Sequence, residues 1–342
     1  MKKIRLFEMF AGYGGASFAL KKAGIPFDCV GYSEIDKFAI QCYNQNHNAK
    51  NYGDCTKINP LELPDFDLLT AGFPCQAFSV AGKGLGELDT RGTLFNEIIR
   101  IAEVKKPKYM LLENVKGLTT KKHKATFEKI LSELERIGYN VKWKVLNSKE
   151  HSIPQNRERV FFVCQKKGEY INFNFPHKEE LKIFLKDILE PEVDEKYFLS
   201  DKTVATLIRH GNKIINQDEN PLVSATIHAN YFKMGGRDQQ YCIDMSQVRR
   251  EHKLRVYDGI SKCLNTAQGG GHTPLTNHKG RLRRFTPTEC FRLMGFLDDN
   301  INLDGLSNTQ RYKLAGNGWD INLVSKIFKK MFEDKNENNK IK

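Results

Sequence analysis

Short apolar runs alternate with amphipathic helical segments through the first half of the chain, and this alternation constrains the fold most. Buried strands are predicted at 4–7, 29–33, 67–70, 109–112, 141–146 and 160–164. The clearest helix is predicted at 125–137, where Phe127, Ile130 and Leu134 recur at three- and four-residue steps. Strands that alternate with helices form parallel sheets covered by helices. The sequence therefore predicts an α/β fold, which binds ligands beyond the carboxyl ends of its strands.

A glycine-rich turn, Phe10-Ala11-Gly12-Tyr13-Gly14-Gly15, follows the first predicted strand. Glycines at this place let the backbone approach a nucleotide-like ligand closely. The spacing differs from G-x-G-x-x-G, which disfavours a dinucleotide. Glu34 follows the second strand, where an acidic side chain accepts hydrogen bonds from ribose hydroxyls, and Asp54 is a candidate acceptor for an adenine amino group. A tight turn without any ligand is the alternative.

Cys75 follows the third predicted strand, in the run Gly72-Phe73-Pro74-Cys75-Gln76. Pro74 restricts the backbone that leads into the thiol. The following segment, 77–93, contains four glycines together with Lys83 and Arg91, a composition suited to a loop that closes over a polyanion. An inert buried thiol is the alternative. The position at the ligand-binding edge favours a nucleophile.

Glu113 follows the fourth predicted strand, so its side chain is expected near Cys75 at the same edge of the sheet. A thiolate and a carboxyl group in one cleft suit nucleophilic attack with proton delivery. Arg157 and Arg159 lie two residues apart and should point the same way in an extended segment. They are candidates to bind a phosphate and a carbonyl oxygen, or to hold Glu113. Capping or ion pairing is the alternative for Glu113, and a surface charge pair is the alternative for the two arginines.

The charge distribution favours a polyanionic partner. The net charge is +13, residues 1–100 carry 11 basic and 11 acidic side chains, and residues 201–290 carry 14 basic and 8 acidic ones. A neutral amino-terminal part and a basic carboxyl-terminal part suggest a core domain followed by a region that faces nucleic acid. The regular pattern fades in that basic region, apart from a β-like piece at 240–243, and returns at 287–296 and 321–331. We interpret the basic region as a second, irregular domain.

The cysteine pattern and the hydropathy exclude several classes. The eight cysteines show no C-x-x-C spacing, which disfavours a metal site and a disulfide framework. The amino-terminal residues lack the apolar core of a signal peptide, and no run is long enough to span a membrane. The expectation is a cytoplasmic protein without a metal and without a membrane segment.

Six motifs in order resemble the cytosine-5 DNA methyltransferase family, over about residues 4–330. Residues 10–15 match its cofactor glycine motif, 74–76 its nucleophile motif and 113–115 its acid motif. Residues 155–159 match its Q-x-R-x-R motif, and 284–296 and 315–318 match its ninth and tenth motifs. The resemblance implies a Rossmann-like S-adenosylmethionine-dependent methyltransferase fold with a smaller, irregular, β-containing target-recognition domain. The implied domains are 1–186 plus 303–335 for cofactor and catalysis, and 187–302 for target recognition and hinge.

The resemblance also implies an activity. A methyl group would pass from S-adenosylmethionine, leaving S-adenosylhomocysteine, to carbon 5 of a flipped cytosine in a short specific sequence of double-stranded DNA, through a covalent Cys75 adduct. Cys75, Glu113, Arg157 and Arg159 would be catalytic. Cofactor contacts are implied for Phe10, Gly12, Tyr13, Gly14, Gly15, Glu34, Ile35, Asp54, Cys55, Pro74, Leu94 and Asn317. DNA contacts are implied for Gln76, Ser79, Lys83, Arg91, Arg237, Gln239, Arg249 and Arg255.

The chain departs from the family pattern in two places. Ile35 replaces the aromatic residue that often follows the ribose-binding glutamate, and Gly318-Trp319-Asp320 replaces a small residue followed by apolar ones. Both departures concern cofactor packing. The alternatives are a tRNA cytosine-5 methyltransferase, a catalytically silent DNA-binding relative, and a cysteine hydrolase. The expected state is a monomer, with a possible cognate restriction endonuclease in the same system.

Overall fold

The computed structural model describes residues 2–74, 93–169, 173–200, 281–297 and 300–332, together with short strands at 224–225, 241–242 and 276–278. The chain divides into two compact units. The first comprises Met1–Leu146, Glu158–His177 and Leu323–Lys342, and the second comprises Asn147–Arg157 and Lys178–Asn322. The assignment of cofactor and target-recognition roles to 1–186 plus 303–335 and to 187–302 remains a prediction.

A six-stranded sheet runs through the first unit. Its strands are β1 (Ile4–Met9), β2 (Phe27–Ser33), β3 (Leu68–Gly72), β4 (Tyr109–Val115), β5 (Tyr139–Asn147) and β7 (Glu158–Lys166). The spatial order is β2-β1-β3-β4-β7-β5, and β1 to β4 run parallel. All six predicted strands are confirmed. The chain passes from β1 outward to β2 and then back across β1 to β3, and such a reversal creates a crevice at the carboxyl ends of the strands.

The predicted parallel sheet is confirmed for β1 to β4 but is wrong for β7, which pairs with β4 in the antiparallel direction. The segment 148–157, which joins β5 to the neighbouring β7, contains no long helix. Parallel neighbours need a crossover of a dozen residues or more, whereas antiparallel strands are joined by short connections. The length of this connection therefore dictates a mixed sheet.

The helices begin and end where local chemistry requires it. Their bounds are α1 (Gly15–Ala23), α2 (Lys37–Asn46), α3 (Thr93–Lys105), α4 (Lys124–Arg136), α5 (Leu185–Ile188), α6 (Pro287–Arg292), α7 (Asn308–Asn317) and α8 (Ile321–Phe332). Gly24 ends α1 at φ 71°, and the Asp36 side chain caps α2 by accepting hydrogen bonds from two backbone amides. In the described ranges, no helix combines the length and the hydropathy needed to cross a lipid bilayer.

The predicted apolar face of α4 is confirmed. Phe127, Ile130 and Leu134 are buried in an apolar core of the first unit, and Leu131 and Ile137 pack against that core. This core lies against β1, β3, β4 and β7, since Phe7, Leu69, Met110 and Phe162 belong to it. The 3.6-residue period alone thus identified which side of the helix faces the sheet.

The described parts of the second unit contain short strands and helices. β6 (Gln155–Asn156) pairs in parallel with β8 (Ser224–Ala225), and β10 (Thr276–His278), β11 (Arg281–Arg284) and β9 (Tyr241–Cys242) form an antiparallel sheet in that order. Strand β9 confirms the predicted β-like piece at 240–243.

A buried ion pair anchors α6 to the sheet of the second unit. The Arg283 guanidinium donates to both oxygens of Glu289 at 2.8 and 2.6 Å, and the two side chains are 1% and 0% exposed. The backbone amides of Thr286 and Glu190 also donate to Glu289, each at 2.8 Å. Because the two charged side chains are withdrawn from water, each depends on its partners here for the hydrogen bonds that water would otherwise provide.

Candidate active site

The carboxyl ends of β3 and β4 bring the predicted catalytic segments together. In the ladder between the two strands Gly72 pairs with Glu113, and Gly72 lies three residues before Cys75. The Asn114 side-chain amide donates to the carbonyl of Phe73 at 2.8 Å. This bond fixes the end of β4 to the backbone that leads into Pro74 and Cys75. Asn114 therefore holds the backbone just before the predicted nucleophile, although it was part of a sequence motif without an assigned role.

Glu113 forms a close ion pair with Arg159. The distance from Arg159 Nε to Glu113 Oε1 is 2.9 Å, and the side chains are 15% and 12% exposed. The antiparallel ladder between β4 and β7 brings them together, since Val115 pairs with Arg159 and Glu113 with Phe161. Burial lowers the pKa of Arg159 and the Glu113 carboxylate raises it. Of the alternatives that the sequence left open for the arginines, holding Glu113 is what Arg159 does.

Arg157 makes a different set of contacts, within the second unit. Its guanidinium donates to the carbonyls of Gly318 at 2.8 Å and of Gly316 at 3.4 Å, and the residue is 3% exposed. Gln155, two residues earlier, donates to the carbonyl of Leu293 at 2.5 Å. The two hydrogen bonds of Arg157 hold the backbone on both sides of Asn317, the predicted cofactor residue at the end of α7.

Several predicted site residues lie outside the described residues. They are the nucleophile Cys75 and all of the proposed DNA contacts: Gln76, Ser79, Lys83, Arg91, Arg237, Gln239, Arg249 and Arg255. Pro74 is the last residue described before this gap, and it is exposed. Their roles remain predictions.

The glycine turn after β1 has the backbone that the sequence predicts. Gly12 and Gly14 have φ of 57° and 85°, in the left-handed region, and the non-glycine Phe10 has φ of 55°. A Cβ built on Gly12 would meet no atom of a described residue within 4 Å. Glycine is needed there for its left-handed φ, and the space beside it is open among the residues that the structure describes. Gly14 caps α1, which starts at Gly15.

Glu34 joins the glycine turn to the end of β2. Its Oε2 accepts from the amide of Gly12 at 2.9 Å, and its Oε1 accepts from the amides of Ile35 and Asp36 at 2.8 and 2.9 Å. A carboxylate has about four lone-pair sites, so capacity remains for a ligand. The side chain is half-buried and follows directly after the carboxyl end of β2.

Asn51 connects the backbone at Glu34, after β2, to the loop that carries Asp54. Its side-chain amide donates to the carbonyl of Glu34 at 3.1 Å, and its side-chain oxygen accepts from the amide of Gly53 at 2.9 Å. Ser33 adds a hydrogen bond to the carbonyl of Gly53 at 2.6 Å. Sequence analysis missed Asn51, and a lone asparagine in a polar loop carries no signal of such a role.

The other predicted cofactor residues surround these loops. Ile35 is 74% exposed. Hydrogen bonds from Thr56 lower the pKa of Asp54, so this partly exposed carboxylate is negative at neutral pH. Cys55 is buried, and Leu94 packs partly buried against the core of the first unit. Tyr13 is 1% exposed and packs edge-on against Phe18.

A buried carboxyl group beneath the glycine turn was missed by the sequence analysis. Glu8 on β1 is 2% exposed and accepts hydrogen bonds from the side chains of Ser17 and Tyr43 and from the first amides of α1. Burial raises its pKa to about 7. Since Glu8 binds the start of α1, it holds the helix against the strand and so shapes the turn between them. An acidic residue inside an apolar strand was the available signal.

The raised pKa of Glu8 predicts a pH-dependent stability. From about pH 4.5, its ordinary pKa, to about pH 7 the folded chain keeps a proton that the unfolded chain has released, so stability falls as the pH rises through this interval. Glu8→Gln mimics the protonated form at every pH. Its free energy of unfolding relative to wild type should therefore increase by roughly 3 kcal/mol between pH 4.5 and pH 8. Urea unfolding of both proteins across this pH range measures the change, with the difference at pH 4.5 as the reference. A difference in the free energy of unfolding that stays constant with pH would contradict a raised pKa for Glu8.

The fold is that of a known class of methyltransferase. The crystal structure of the Dnmt2 methyltransferase from S. pombe superimposes with a TM-score of 0.69 at 22% identity, covering 98% of this chain and all of that one. At this identity the likeness concerns the fold alone.

Sequence comparison identifies the family. Residues 4–333 match the model of the C-5 cytosine-specific DNA methylase family, and the chain belongs to that family. It is 35% identical over 330 residues to the type II methyltransferase M.HhaI of Haemophilus parahaemolyticus, covering 95% of this chain and 93% of that protein. It is also 36% identical over 345 residues to the type II methyltransferase M1.ScrFI of Lactococcus lactis subsp. cremoris, covering 97% of this chain and 78% of that protein.

Proposed function

We propose that this enzyme methylates carbon 5 of a cytosine within a short specific sequence of double-stranded DNA. The observation that carries the proposal is the place of Glu113. Its backbone pairs with Gly72, three residues before Cys75, and its carboxylate is held by Arg159 at 2.9 Å. A nucleophile, a carboxyl group and a guanidinium at one sheet edge are the groups that this chemistry requires.

The chain's residues activate the cytosine ring. The thiolate of Cys75 forms a bond to carbon 6, which gives carbon 5 the electron density that it lacks in the free base. In its protonated form, Glu113 donates a hydrogen bond to ring nitrogen 3 and passes the proton to it as negative charge develops there, and it takes the proton back when Cys75 leaves. Arg159 orients Glu113 and contacts the carbonyl oxygen at position 2. After carbon 5 has been methylated, a base takes the proton from it and the bond from sulfur to carbon 6 breaks, which frees Cys75.

The residues at the carboxyl edge of β1 and β2 fit S-adenosylmethionine. The acceptors Glu34 and Asp54 suit its hydroxyl and amino groups and its positive charge, exposed Ile35 offers an apolar surface to a flat base, and the open space at Gly12 admits close backbone approach. When bound, it supplies an electrophilic methyl group. Phe10, Tyr13, Gly14, Gly15, Cys55, Pro74, Leu94 and Asn317 complete the proposed contacts. Ser33 and Asn51 keep the two acidic loops together.

The target cytosine has to leave the base stack, which costs a few kcal/mol. We assign the closing of the site over that base to the loop that contains Gln76, Ser79, Lys83 and Arg91. Arg237, Gln239, Arg249 and Arg255 are proposed to contact DNA from the basic region. Arg157 holds the backbone around Asn317, and we propose that it also helps to orient the catalytic set. The enzyme is proposed to act as a cytoplasmic monomer, with a cognate endonuclease as a possible partner in the same system.

Transfer of tritiated methyl groups tests the proposal. Purified protein is incubated with labelled S-adenosylmethionine and either duplex DNA or tRNA. Incorporation into DNA is expected, and bisulfite sequencing of DNA from cells that express the chain then identifies the methylated sequence. Labelling of tRNA alone would favour the tRNA methyltransferase alternative, and binding of DNA without any labelling would favour a catalytically silent relative.

A further inference from the structure

A dense group of cations follows the acid motif directly. The fourteen residues from Asn114 to Phe127 include four lysines, Lys116, Lys121, Lys122 and Lys124, and one histidine, but no aspartate or glutamate. We call 116–124 the cationic segment. None of its residues belongs to the proposed catalytic, cofactor or DNA-contacting set.

The cationic segment lies at the catalytic edge of the sheet. It continues from the carboxyl end of β4, which carries Glu113, through two short turns of 3-10 helix to the start of α4. The opposite edge, where β1 and β4 begin, carries its own lysines, Lys2, Lys3 and Lys106. These two groups of lysines thus lie at opposite ends of the same parallel strands, in the same unit.

The backbone of the cationic segment is ordered by its own contacts. Leu118 is fully buried, and the hydroxyls of Thr119 and Thr120 donate to the carbonyls of Lys116 and Gly117 at 2.9 and 2.8 Å. Lys121 and Lys122 are exposed. A ligand that binds there does not have to order the backbone first, which reduces the free-energy cost of association.

The positive charge of the segment is only partly compensated. Lys116 is paired with Glu158 at 2.8 Å and Lys124 lies 3.6 Å from Glu128, whereas Lys121 and Lys122 form no ion pair with a described residue. Repulsion between these neighbouring cations is relieved when a polyanion replaces the surrounding counterions.

We propose that Lys121, Lys122 and Lys124 bind phosphates of duplex DNA next to the flipped cytosine. This inference rests on the proposed function, because a polymer that delivers a base to Glu113 has to pass over the edge from which the cationic segment projects. Duplex DNA presents one negative charge per roughly 1.7 Å of its axis, which suits several lysines close together. Contacts of this kind position the duplex and carry no sequence information.

Two triple variants with the same change in net charge test the inference. The first is Lys121→Gln/Lys122→Gln/Lys124→Gln, and its control at the opposite edge is Lys2→Gln/Lys3→Gln/Lys106→Gln. The association constant for a duplex of about 30 base pairs, long enough for a phosphate-tracking contact, is measured as a function of KCl concentration. The first variant should reduce the slope of log K against log salt by about 2 to 3 and weaken binding by about tenfold or more at 0.1 M salt. The control should follow wild type.

Each other outcome has a definite meaning. Equal slopes for both variants and wild type would overturn the inference. The inference would also be overturned if the first variant lost binding to single-stranded RNA of the same length but kept binding to duplex DNA. The cationic segment would then bind a different polymer. If wild type transfers no methyl group to DNA but the slope still falls for the first variant only, the proposed function fails and the phosphate contact stands.

Discussion

Replacing Cys75 by serine is expected to reduce methyl transfer to duplex DNA below detection. A serine hydroxyl is far less acidic than a thiol and is not ionised near neutral pH, so it cannot attack carbon 6 as a thiolate does. The variant should also form no covalent adduct with DNA that contains 5-fluorocytosine, which traps the wild-type intermediate because fluorine at carbon 5 cannot leave as a proton does. Tritium incorporation and a denaturing gel for the adduct measure both effects.

Cys29→Ser is the matched control for this experiment. Burial raises the pKa of Cys29 to about 12, so its thiol is protonated at neutral pH, and its sulfur lies 3.2 Å from the hydroxyl of Tyr43. A serine there keeps the possibility of that hydrogen bond, and wild-type turnover is expected. Robust turnover by the Cys75 variant would falsify the covalent mechanism, and adduct formation by it would point to another nucleophile.

The second large effect is expected on stability, at the buried ion pair of the second unit. Glu289→Leu leaves the Arg283 guanidinium buried without its carboxylate, and it also removes the acceptor for the amides of Thr286 and Glu190. Breaking one side of such a pair costs about 3–5 kcal/mol, because a buried charge loses its partner. Lys196→Gln, which removes a pair at the surface of the same unit, is the control and should change little.

The two tryptophans allow this loss to be assigned to the correct unit. Trp319 belongs to the second unit and Trp143 to the first. In a Trp143→Phe background, urea unfolding followed by fluorescence reports the second unit alone. The double variant Arg283→Met/Glu289→Leu should recover part of the loss, because no unpaired charge is left behind. A Glu289→Leu variant as stable as the Lys196→Gln control would show that water reaches this pair.

Much of the fold follows from local patterns. The apolar face of α4, the end of α1 at Gly24 and the start of α2 at Asp36 depend on contacts within a few residues, and the strands of the parallel core depend on short apolar runs. The mixed sheet was not predicted, since the direction of β7 depends on how the chain returns after β5. The direction of β7 is determined by the length of the connection from β5 and by the neighbouring strands, and a local sequence pattern contains neither.

The sequence by itself determined the family and the parallel strands of the core, and it predicted Cys75 as the nucleophile. These conclusions depend only on residue type, spacing and order along the chain. Tertiary structure decided the partners of the side chains. It paired Arg159 with Glu113 and Arg157 with the carbonyls of Gly316 and Gly318, although the two arginines lie only two residues apart. It also placed Glu8 and Asn51 beneath and between the proposed cofactor loops. Hydrogen bonds join groups that are distant in sequence, so they are established only when strands and loops are brought together.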